Sequence, residues 1–103
     1  MSQIIENWSD LRAKLLSVSP HPTLPGMAIV RLAVDSAAPV AGFAHLLGES
    51  QGSELEVIVR REQVEQPALA PGTRLALRAR KARPALVFAH PELFGAEEPS
   101  EGR

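Results

Sequence analysis

Five cations fall within ten residues, Arg74, Arg78, Arg80, Lys81 and Arg83, and Arg60 and Arg61 lie upstream of them. Over residues 54–90 these seven outnumber the four acids Glu54, Glu56, Glu62 and Glu65, a local surplus of three. The chemistry such a cluster offers is anion binding, because Arg and Lys along one strand face can follow a phosphate backbone. Small barrels bind single strands with such faces when aromatic rings stack the bases beside them. The aromatic residues here are Trp8, Phe43, Phe88 and Phe94, and none alternates with the arginines along their own strand. The plainer expectation is a solvated face on which the arginines pair with Glu54 and Glu56 across a sheet.

The other reactive side chains form no catalytic pattern. His21, His45 and His90 lack the i,i+4 spacing of helical metal ligands and read as surface or half-buried residues. No serine lies in a G-x-S-x-G turn. Gly48 and Gly52 punctuate a loop and are followed by no Gly-Lys-Ser/Thr. Glu54 and Glu56 are read as solvent-side partners for arginines, not as a pair of catalytic acids. The expectation is a protein without enzymatic activity, metal or cofactor.

Composition bounds the rest. The 103 residues are 45% hydrophobic, enough for one domain with one core. A net charge of −1 supplies no global attraction to nucleic acid or to an anionic membrane. With no cysteine there is no disulfide framework and no thiol nucleophile. No apolar run is long enough to span a bilayer, and the N-terminus lacks a secretory pattern. These features predict a cytoplasmic protein, and the Ala/Arg/Pro-rich wording suggests a bacterial one.

The elements that must position the cations are strands. Glu54–Arg60 alternates Leu55, Val57 and Val59 with Glu54, Glu56 and Ile58. After Pro71-Gly72, a pair that fits a type II turn, Leu75, Leu77 and Ala79 share one face and Arg74, Ala76, Arg78 and Arg80 the other. A third strand runs from Leu86 to Ala89, with Leu86 and Phe88 on one face. A further strand at Met27–Val34 is apolar on both sides. Val30, Leu32, Leu55, Val57, Val59, Leu75, Leu77, Leu86 and Phe88 are predicted to share one interior.

Ahead of these strands, residues 2–18 read as an amphipathic helix. Ile4, Trp8, Leu11, Leu15 and Val18 fall on one stripe, with Ser2 as N-cap and Pro20 and Pro22 as the stop. That stripe packs on the barrel of the same chain or, as a seam, on another subunit. Residues 39–48 read as a short helix or irregular crossing, with Gly48 as a C-cap, and Gly42 also allows a strand containing a bulge. Residues 95–103 read as a disordered acidic tail, and no internal repeat is evident. The predicted fold is mainly β with an N-terminal helix, a small OB-like β-barrel. Its parts are the helix at 1–19, the barrel at 20–94 and the tail at 95–103.

The stretch VRREQVEQPALAPGTRLALRARKA resembles the C-terminal half of TOBE- and MOP-type domains, over about a quarter of the chain. The shared features are Arg60-Arg61 at a strand end, a helical turn through Val64, then Leu69, Pro71-Gly72, Leu75, Leu77 and Lys81-Ala82. The resemblance implies a small OB-like barrel that accompanies transporter ATPases or binds small oxyanions. Where oxyanion-binding members carry a polar Ser-Arg-Asn-type segment, this chain has GMAIVRLAV.

The functional expectation is a non-catalytic interaction module, a subunit or regulatory piece of a larger assembly. Its candidate protein interface is Ile4, Trp8, Leu11, Leu15, Phe43, Leu46 and Leu47, used in a homo-oligomer or with another protein. The alternative is single-stranded nucleic acid on Arg60, Arg61, Arg74, Arg78, Arg80, Lys81 and Arg83. Small-oxyanion binding ranks after both.

Overall fold

Five strands close into a barrel in a computed structural model that describes residues 6–65, 68–83 and 86–97. The strands are β1 (Ser9–Pro20), β2 (Met27–Pro39), β3 (Glu54–Arg60), β4 (Arg74–Arg83) and β5 (Leu86–Ala96), with one short helix, α1 (Arg61–Glu65), between β3 and β4. Their order around the barrel is β1-β2-β3-β5-β4. Neighbours are antiparallel except β3 and β5, which run parallel.

Over its described part, residues 6–18, the predicted N-terminal helix is not formed. Residues from Ser9 onward make β1, hydrogen-bonded to β2 on one side and β4 on the other. Ser2 and Ile4 lie outside the described residues. The misreading has a plain cause. A spacing of four places Leu11 and Leu15 on one face of a helix, but four is also an even number, so the same pair shares one face of a strand. The inward set is Ser9, Leu11, Ala13 and Leu15, with Asp10, Arg12 and Lys14 outward. Two of the four inward residues are Ser and Ala, which hid the period of two. Val18, placed on the stripe, is 38% exposed.

The core is filled by inward side chains from every strand, among them Leu11 and Leu15, Val30 and Leu32, Val57 and Val59, Leu75 and Leu77, and Val87. Leu55 is only partly buried. On β5 the face is opposite to expectation: Val87 is buried and Leu86 and Phe88 are half-exposed. A four-residue apolar run carries no alternation to fix its face, and a one-residue slip inverts all of it.

Local chemistry fixes the connections. Gly72 has φ +95° and Thr73 N–H donates to Ala70 O at 3.1 Å, the geometry of the expected type II turn. Residues 40–47 cross the barrel irregularly, and Gly48 opens a 3₁₀ turn, Gly48–Ser50, rather than ending a helix. In α1, Gln63 Oε1 accepts from Arg60 N–H at 2.9 Å, as a capping box does, and Val64 is buried. Gln63 Nε2 also donates to the carbonyls of His90 and Pro91, 3.1 Å each. This tie reinforces the thinnest seam of the barrel, where β3 and β5 meet at the pair Ile58–Phe88.

A short repeat becomes visible in the structure. His21-Pro22-Thr23-Leu24 and His90-Pro91-Glu92-Leu93 form the same turn, in which histidine Nδ1 accepts the N–H groups two and three residues on, at 3.0–3.2 Å. Each turn presents an exposed leucine, Leu24 at 41% and Leu93 at 45%. The second makes β5 bulge, so that the ladder passes from Leu77–Phe94 to Ala79–Ala89. Beyond it, Gly95 and Ala96 pair with β4 and Glu97 N–H donates to Arg74 O at 2.7 Å. The acidic-tail reading thus falls partly on paired backbone, and residues 98–103 lie outside the described residues.

Candidate functional site

Three of the seven predicted cations, Arg61, Arg74 and Arg78, are engaged in ion pairs. Arg78 grips Asp10 of β1 with two hydrogen bonds, 2.7 and 3.2 Å. That hydrogen bond and the carboxylate's charge raise the Arg78 pKa above its ordinary value. Arg74 contacts Asp35 of β2 and, at 4.0 Å, Glu97. Arg61 pairs with Glu65 within α1. Arg74 and Arg78 do not reach Glu54 or Glu56, because β4 lies between β1 and β5 and not beside β3. Glu54 takes Arg31 instead, at 3.0 Å. Arg60, Arg80, Lys81 and Arg83 have no ion pair among the described residues.

The rings missing from β4 come from its neighbours. Phe88 is the ladder partner of Arg80, whose guanidinium carbon lies 5.4 Å from the ring centroid. Trp8, just before β1, meets His90 with centroids 5.2 Å apart and planes tilted by 56°. All four side chains are half-buried. Reading one strand at a time could not find this group. The signal that could have was the pairing of β4 with β5 as a hairpin, which sets Phe88 opposite Arg80.

The predicted protein-contact residues divide. Leu11, Leu15 and Leu47 are at most 2% exposed, in the core of their own chain. Phe43 and Leu46 are exposed, at 40% and 39%, on the segment that crosses the barrel end. That segment is fixed in place. Trp8 N–H donates to Ala44 O at 3.2 Å, and Ser9 Oγ and His45 Nδ1 share a hydrogen bond of 2.8 Å. Ser9 is fully buried, so this hydrogen bond anchors the crossing to the start of β1.

Asn7 continues β1 by side-chain mimicry. Its Nδ2 donates to Lys81 O at 2.9 Å and its Oδ1 accepts from Lys81 N–H at 2.8 Å, while its backbone bridges Ala44. Asn7 is 1% exposed. Replacing it with alanine removes a buried amide and leaves two part-buried backbone groups of Lys81 without these partners, so Asn7→Ala is expected to cost about 1–3 kcal/mol, measured by urea unfolding. A loss below about 0.5 kcal/mol, as at a surface site, would place the amide in solvent.

An open groove of about 590 Å³ lies between the β5 bulge and the neighbouring stretches of β1, β2 and β4. Its rim carries Asp10, Arg12, Arg78 and Glu92, and Leu93 and Phe94 form one wall. No helix among the described residues is long and apolar enough to cross a membrane, and no group of three or more metal-ligating side chains occurs among them. Compared with protein-family models, curated proteins and solved structures, the chain finds no match in any of the three.

Proposed function

We propose that the chain is a non-catalytic β-barrel interaction module, a subunit or regulatory piece of a larger assembly. The observation that carries this reading is the exposed pair Phe43 and Leu46 on a segment anchored by Trp8, Ser9 and Asn7. An apolar pair held rigidly in solvent loses little conformational entropy on docking, and aromatic anchors carry interface energy. The closed five-stranded order, with a helix between β3 and β4, supports an OB-like barrel as the frame. Small-oxyanion binding, implied by the resemblance to MOP-type domains, has less support because Arg74 and Arg78 already hold carboxylates.

The proposed partner is a second copy, since two-fold closure is the commonest. Light scattering is expected to show a dimer at high concentration that Phe43→Ser shifts to monomer. Monomer stability should change by no more than about 0.5 kcal/mol, as for an exposed site. A wild-type chain that stays monomeric up to its solubility limit overturns the homodimer and leaves the surface to a different protein.

A further inference from the structure

We infer that the outer face built by Trp8, Arg80, Phe88 and His90, edged by Lys81 and Arg83, binds single-stranded nucleic acid. The inference stands apart from the Phe43 surface and uses other side chains. Three ladders set the face in one row: Ile29 opposite Ile58, Ile58 opposite Phe88, and Phe88 opposite Arg80. Ile58 lies outside the core cluster yet is only 6% exposed, so the row has a packed apolar floor. Phe88 is therefore held in place rather than trailing in solvent, and Trp8 rests against His90.

Charge selects the occupant. Arg12, Arg31, Arg61, Arg74 and Arg78 each have a carboxylate partner. Arg80, Lys81 and Arg83 have none among the described residues; Arg80 lies over the Phe88 ring, Arg83 is the ladder partner of Leu86 two residues from Phe88, and Lys81 follows on the same strand as the partner of Val87. Lys14 and Arg60 also lack an ion pair there, and Arg60 sits on β3 two residues beyond Ile58. Unneutralised cations next to half-buried rings match a chain that alternates phosphates with flat bases. A base can stack on Phe88 or Trp8 while its phosphate meets Arg80, Lys81 or Arg83. A duplex hides its base faces, and an acidic peptide has no flat groups in register with its charges. With a net charge of −1, long-range steering is absent and the contact rests on this patch.

Trp8 is the only tryptophan, so its emission reports stacking directly. The probe is a labelled oligothymidylate single strand, followed by anisotropy and by Trp8 fluorescence. The expected result is anisotropy rise with Trp8 quenching, and a log–log salt slope of about −2 for three phosphate contacts. Phe88→Leu keeps the apolar cover of Ile58 but removes the ring, and should weaken binding by about fivefold or more. Lys81→Gln with Arg83→Gln should flatten the salt slope, and Phe43→Ser should bind at least as tightly as wild type. No binding at low salt overturns the inference. So does binding without Trp8 quenching that Phe88→Leu leaves unchanged, or equal affinity for duplex and for an acidic peptide, since either would mean a general polyanion contact.

Discussion

A chain lacking residues 1–19 is expected to be unfolded. β1 is hydrogen-bonded on both edges, to β2 through Pro20–Ala28 and to β4 through Lys14–Arg74. It also supplies Leu11, Ala13 and Leu15 to the core, each at most 1% exposed. Burying a leucine contributes about 1.5–3 kcal/mol, and a small domain has only about 5–15 kcal/mol in total. Removing two buried leucines and both ladders of a closed barrel therefore takes away most of that stability, and it leaves β2 and β4 with open edges prone to association. Far-UV circular dichroism and amide chemical-shift dispersion measure the outcome. A truncated chain with a native-like spectrum and cooperative unfolding would mean that this segment only covers the barrel, as an added helix would.

The second large effect belongs to Leu32. Its side chain is fully buried, and its ladder partners are Leu15 on β1 and Leu55 on β3. Leu32→Ala opens a cavity among strands that cannot collapse without breaking register. The expected loss is about 2–5 kcal/mol, seen in urea as a lower midpoint with an unchanged slope. Leu46→Ala, at an exposed site, serves as the paired control and should stay within about 0.5 kcal/mol. Equal losses for the two would contradict the assignment of inward and outward faces.

The barrel body was legible wherever alternation was clean. Leu75, Leu77 and Ala79 face inward against Arg74, Ala76, Arg78 and Arg80, and Pro71-Gly72 turns the chain as its residue types require. Legibility failed where small residues sit inward. Ser9 and Ala13 removed the alternation from β1, and the remaining leucines imitated a helical stripe. It failed again at Leu86–Ala89, whose four apolar residues do not say which face is inside.

At the candidate sites, residue type was readable and partnership was not. The arginines and their shared face followed from spacing alone. Which of them carry carboxylates depends on β4 lying between β1 and β5, a fact of topology. The tryptophan of the ring group and the anchors of the crossing segment likewise join residues far apart in the chain: Trp8 with His90, Ser9 with His45, Asn7 with Lys81. The twin His-Pro-x-Leu turns could have been found by comparing the two tetrapeptides, because proline fixes the same backbone after each histidine.

The claim that this barrel is an interaction module with a preformed apolar contact is tested most directly by a concentration series of amide spectra on the full chain. The expected shifts grow with concentration and cluster at residues 40–46 and their anchors Trp8 and Ser9, with the arginine face of β4 unmoved. Spectra unchanged over the whole accessible range, or shifts centred on Arg74–Arg80, would contradict it.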